Sequence, residues 1–180
     1  MSKAIMILAQ DFEETEAITV ADILRRAGVD LRLAALSELH VTGAHGVTIV
    51  ADSLFADEGD GYDAVILPGG PGARHYLQSS KLMEAIKRYF NAGKTVAAIC
   101  AAPAALAAAG IMDGKSAVCY PGFEADMKGA KLTDAPVVAD GGVITAKGPG
   151  AAVHFGLKLI EALEGEAAAK EISEKFIAFI

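Results

Sequence analysis

The chain has 180 residues, 53% of them apolar, with 16 basic against 23 acidic side chains for a formal net charge of −7. That apolar content excludes a disordered chain, and the length suits one α/β domain over residues 1–180 with one sizeable core. No basic cluster exists beyond Arg25–Arg26, so a nucleic-acid footprint is excluded as well.

The N-terminal MSKAIMILAQDFEETE places acids directly after a very short apolar run, which is not a signal-peptide layout. Lys3 to Ala9 reads as a strand covered on both faces. In EAITVADILRRAG, Val20, Ile23, Leu24 and Ala27 follow helical spacing and Gly28 marks the end. LRLAAL is strand-like, and GVTIVADSLF alternates before the acidic loop ADEGDGYD. AVILPGG is an apolar strand stopped by Pro68 and two glycines. Leu82, Ala85, Ile86 and Tyr89 then share one helical face, with Gly93 as the stop.

TVAAIC is another buried strand and APAALAAAG another helix. The uncharged stretch from Thr95 to Met112 is interrupted by Pro103 and closed by Gly110, so it reads as strand into helix rather than a membrane span. Asp140–Gly141 between β-branched runs predicts a small β-hairpin. AAVHFGLKLIEALEG and EAAAKEISEKFIAFI close the chain as helices. Strands alternating with helices predict a mostly parallel sheet with its sites at the carboxyl ends of strands.

The loop after the first strand, QDFEETE, has no glycine, so a dinucleotide fingerprint fails there. GGPGAR lacks the Lys-Ser/Thr of a phosphate loop. No nucleotide, metal or other cofactor is expected. Cys100 and Cys119, far apart and in no zinc-like spacing, read as free thiols of a reducing, cytoplasmic compartment.

Three strand ends carry chemistry. The first offers Glu13, Glu14 and Glu16, the second the bare backbone of Gly69–Gly70, and the third Cys100. A strand-to-helix turn would set Cys100 at a helix N-terminus that stabilises a thiolate, with Pro103 in the first turn. The amides of Gly69, Gly70 and Ala101 would then form an anion pocket. The other reading of Cys100 is a small buried filler. A protonated Glu16 would hydrogen-bond a thiolate, an ionised one would repel it, and the ordinary alternative is a first-turn acid. His75, shortly after the Gly-Gly turn, is the one histidine expected in a pocket. His40 and His45 are read as surface or interface residues, His154 as packed or solvated, and Cys119 as packing.

Together ILAQDFEETEA, AVILPGGPGA, VAAICAAPAAL and ITAKGPG resemble the ThiJ/PfpI superfamily, in the clade of the parkinsonism-associated deglycase-like protein and its bacterial homologues. The resemblance spans nearly the whole chain. It implies a flavodoxin-like doubly wound sheet with helices on both faces, usually a homodimer, and an oxidisable cysteine at a nucleophile elbow. By position Cys100 is that cysteine and Glu16 its carboxylic partner. The amide pocket falls on Gly69, Gly70 and Ala101, Arg26 matches an arginine near the pocket, and Pro149 with Gly150 shapes its wall.

Departures from the pattern are also visible. Ala101 stands where protease-like members have histidine, which weakens an amidase or peptidase reading. Tyr120 replaces a loop histidine, His45 replaces an arginine that would reach the partner's pocket, and GGPGARHY is one residue short. The implied activity is glutathione-independent glyoxalase or deglycase chemistry on a small aldehyde or a glycated substrate. The alternative is a redox sensor or chaperone whose Cys100 is oxidised to sulfinic acid.

Overall fold

The computed structural model describes residues 1–178, without the side chain of Asp57; the end of the last helix expected from sequence, residues 179–180, lies outside it. Its strands are β1 (Lys3–Leu8), β2 (Asp30–Ala35), β3 (His40–Thr42), β4 (Thr48–Val50), β5 (Ser53–Leu54), β6 (Ala64–Leu67), β7 (Thr95–Ile99), β8 (Ser116–Ala117), β9 (Lys131–Leu132), β10 (Val137–Asp140) and β11 (Val143–Ala146). Its helices are α1 (Glu14–Arg26), α2 (Ser80–Asn91), α3 (Pro103–Ala108), α4 (Ala152–Glu164) and α5 (Glu166–Phe176).

Seven strands form one sheet in the order β10-β11-β7-β6-β1-β2-β5, parallel throughout except for the β10–β11 pair. The chain steps from β1 to β2 in one direction and from β6 to β7 in the other. Right-handed crossovers therefore put α1 and α2 on opposite faces. Helices α1, α4 and α5 pack together, and α2 packs with α3. Covered on both sides, the central strands are continuous apolar runs; every residue from Ala4 to Leu8 is buried.

The β10–β11 hairpin turns through Gly141 and Gly142, whose φ values of 56° and 83° suit a primed turn. The alternating stretch GVTIVADSLF is not one continuous strand. It splits into β4, which pairs with β3 as a separate antiparallel hairpin, and β5, the edge of the main sheet. The pair β8–β9 and a 3₁₀ helix over Pro71–Gln78 carry no periodic signal long enough to read from sequence. Among the described residues no helix is long and apolar enough to cross a membrane.

The direction of chain progression reverses between β1 and β6. Crevices at such a switch point, beyond the carboxyl ends of the strands, are where open α/β sheets hold ligands. Glu16, Gly69–Gly70 and Cys100 follow β1, β6 and β7, three adjacent strands.

Candidate functional site

Cys100 is the residue on which β7 turns toward α3. Its φ of 67° is left-handed, a conformation that L residues other than glycine, asparagine and aspartate seldom hold. Both sides of the turn fix it: the Cys100 amide donates to the Ala146 carbonyl at 2.9 Å, and its carbonyl accepts from the Tyr120 amide at 2.8 Å. Pro103 sits in the first turn of α3, where its missing N–H leaves no gap.

Glu16 enters from α1 and is 1% exposed. Its Oε2 accepts from the Gly69 amide at 2.7 Å, and the Cys100 thiol faces the same carboxyl. Oε1 is buried and has no hydrogen-bond partner among the described residues. Gly69 makes this approach possible: a β-carbon there would lie 2.6 Å from the Cys100 β-carbon and 2.8 Å from Glu16 Oε2. At Gly70, φ is 89° and a β-carbon would meet the Glu13 nitrogen at 2.5 Å, so only glycine fits this second position.

Burial raises the Glu16 pKa to about 7, against the Gly69 amide and the Cys100 thiol, which pull it down. Burial likewise pushes the Cys100 thiol up to about 12, helped by the charge of Glu16 and opposed by the Gly70 and Ala101 amides. Both effects run against the thiolate expected from a helix N-terminus. Helix α3 has only six residues and begins three positions beyond Cys100, so its dipole is weak against burial and a neighbouring carboxylate. With Glu16 ionised, the thiol keeps its proton.

The structure brings Glu16, Gly69, Gly70, Cys100 and Ala101 together and sets two expected pocket residues elsewhere. Arg26 lies ten residues along α1 from Glu16, roughly 15 Å; it is exposed, paired with Asp22 at 2.7 Å and laid over the Phe176 ring. His75, on the 3₁₀ helix, lines a separate cleft with Gln10 and Ser37. Tyr120 and Pro149 share a cavity of about 390 Å³ with Lys147 and His154, and the Tyr120 ring rests against Gly148. A cavity of about 890 Å³ runs along α4 and α5 and contains none of the expected site residues.

Beside the site, Glu14 holds the β3–β4 hairpin. Its carboxylate accepts from the His45 amide at 2.7 Å and contacts His45 Nδ1 at 2.9 Å. Burial alone would raise Glu14, but these bonds outweigh it and hold the carboxyl below its usual range. His45, bonded to Glu14 and near Glu13, is correspondingly raised. Glu13, Glu14 and His45 have donor atoms within 4.8 Å of one another, a group that could hold a cation, although Glu14 is engaged with the hairpin. Sequence reasoning missed this anchor and the buried Tyr76, the only aromatic residue of GGPGARHYLQ. Ala73 and Tyr76 are both buried and stand three apart, but one such pair is too short a pattern to read from sequence.

Two outcomes follow for Glu16→Gln. Folded Glu16 keeps its proton to about pH 7, while the unfolded chain releases it near 4.5. Its contribution is therefore fully present below 4.5 and lost as pH rises through 7. Denaturant titrations should show wild type losing on the order of 3 kcal/mol relative to the variant between pH 4.5 and 8. A constant difference across that window would contradict the raised carboxyl. In the second experiment, the midpoint of Cys100 alkylation against pH is expected to fall in the variant, because the repelling charge is gone. An unchanged midpoint would show that the two groups do not interact.

The DJ-1/PfpI family model matches residues 2–162. The chain is 38% identical over 180 residues to Protein dj-1beta of Drosophila melanogaster, covering 97% of this chain and 96% of that protein. It is 36% identical over 167 residues to the Glutathione-independent glyoxalase DJR-1.2 of Caenorhabditis elegans, covering 91% and 89%. Against Protein DJ-1 homolog B of Arabidopsis thaliana identity is 36% over 95% of this chain, but only 40% of that longer protein is spanned. The crystal structure of Drosophila melanogaster DJ-1beta superposes with a TM-score of 0.93 over 100% of both chains at 36% identity. With the switch-point site in place and nearly its whole length matched, the chain belongs to the DJ-1/PfpI family.

Proposed function

We propose that this protein is a cysteine-dependent enzyme for reactive 2-oxoaldehydes, of the glutathione-independent glyoxalase or deglycase type, converting methylglyoxal to lactate. The observation that carries this reading is the buried meeting of Glu16 and Cys100 around Gly69, with the carboxyl titrating at about 7. A base with a pKa near the working pH is both available and strong enough to move protons. The name of the C. elegans relative, a glutathione-independent glyoxalase, supports the same chemistry.

In the proposed cycle Glu16 takes the thiol proton as Cys100 Sγ adds to the aldehyde carbon. The carbonyl π pair moves onto oxygen, which is then protonated to give a hemithioacetal. The Gly70 and Ala101 amides, which face the sulfur, are suited to the charge growing on that oxygen. Glu16 next carries the C1 proton to C2 through an enediol, leaving a thioester of the 2-hydroxy acid. Water opens the thioester and the thiol regains its proton. The net change is addition of one water, balanced without glutathione or a redox cofactor.

Tyr120 in place of the loop histidine leaves Glu16 as the only proton carrier in this scheme, so slow turnover is expected. The redox-sensor reading draws less from this site, because burial and the Glu16 charge both disfavour the thiolate on which oxidation depends. A homodimer belongs to the same proposal. Ile18, one turn along α1 from Glu14, and Val47, whose amide Glu14 holds, are both exposed. Two free cysteines suit a reducing compartment such as the cytoplasm.

Purified protein is expected to release lactate from methylglyoxal with no glutathione added. Cys100→Ser should abolish turnover, and Glu16→Gln should lower it by roughly 10²- to 10⁴-fold. Full activity in either variant would reject the assigned roles.

A further inference from the structure

Pro68 ends β6 and brings no N–H to the β1–β6 ladder. A side chain from the following 3₁₀ helix supplies the donor at that point. Tyr76 is fully buried, and its hydroxyl donates to the carbonyls of Ile7 at 2.9 Å and Pro68 at 3.0 Å, a three-centre bond across the two strand ends. The Pro68 carbonyl belongs to the same planar peptide unit as the Gly69 N–H. That N–H is the donor that holds Glu16 Oε2 at 2.7 Å.

We propose that Tyr76 is a positioning residue for Glu16, acting through the peptide unit that joins Pro68 to Gly69. The unit is gripped at both ends, by the phenol at its oxygen and by the carboxylate at its nitrogen. Gly69 and Gly70 have no side chains of their own to lock the turn, so the plane of this peptide is set by its hydrogen bonds. The hydroxyl also draws electron density toward the carbonyl oxygen, which makes the Gly69 N–H a stronger donor to the ionised carboxyl. Tyr76 thus favours the ionised form of Glu16 without touching it.

The groups that face Glu16 from its surroundings are the Cys100 thiol beyond β7, the Gly69 amide beyond β6, Glu13 just before α1 and the Tyr76 phenol. Burial and the Glu16 charge push the phenol's own pKa far up, so it remains an O–H donor at every working pH. This inference deepens the reading of Glu16 as the base. Its test reads ionisation directly, so either can fail while the other stands.

The experiment follows the carboxyl carbon of Glu16 by NMR against pH in protein labelled at the glutamate side chains, with Glu16→Gln providing the assignment. In Tyr76→Phe the midpoint is expected to rise by roughly half a unit, about a threefold smaller carboxylate population on the acid side. In protein carrying 3-fluorotyrosine at position 76, a stronger donor of nearly the same size, the midpoint should fall. Should Tyr76→Phe fail to fold, the fluorinated protein decides alone. A Glu16 midpoint that stays at the wild-type value in folded protein overturns the proposal, even if activity drops, because that pattern marks a purely structural tyrosine.

Discussion

A carboxyl group stays buried beside a thiol only if something replaces the water it has lost, and here the Gly69 amide does so at 2.7 Å from Glu16 Oε2. That one bond needs a residue without a side chain at position 69, a strand end that aims its N–H into the crevice, and a helix that starts close enough to deliver Glu16. The parallel sheet provides the last two, because β1, β6 and β7 end side by side where the chain reverses its order. The amide offsets burial only in part, so the carboxyl titrates in the neutral range instead of near 4.5.

The same incomplete compensation decides what the cysteine can do. A thiolate at rest would need more positive potential than two amides and a one-and-a-half-turn helix supply against the charge of Glu16. Under the proposed reading the nucleophile is therefore made at the moment of attack, by proton transfer to its neighbour. This division of labour resembles general-base catalysis more than that of a pre-ionised thiol. The left-handed backbone at Cys100 serves the arrangement by turning the side chain out of the sheet toward that neighbour.

Much of this was legible in the residues. Apolar runs stopped by Pro68 and Gly69, or by Cys100 and Pro103, mark buried parallel strands whose ends hold the chemistry, and Gly141 marks the hairpin. The direction of the thiol's titration was not legible. It depends on how deeply three loops close over Cys100, and spacing carries no information on burial. Arg26 and His75 were misplaced for a related reason: a motif fixes the neighbours of a residue in sequence, whereas helix rise carries Arg26 away and His75 lines a separate cleft. Tyr76 and the Glu14 anchor were missed because each makes its contact across more than thirty positions or through a single peptide unit.

The sheet also ends in a way that bears on how the chain behaves when crowded. Its strands are apolar enough to recruit others, yet neither border offers a usable template. On one side β5 is two residues long, and the Asp52 carboxylate just before it already caps the Leu33 amide at 2.8 Å. On the other, β10 runs antiparallel, follows Pro136 and ends on Asp140, whose side chain is occupied by the Ser116 amide. Short length, proline and inward-committed acids are the devices that stop one sheet from extending another. The fold is in this way guarded against edge-to-edge aggregation by the same residues that finish its strands.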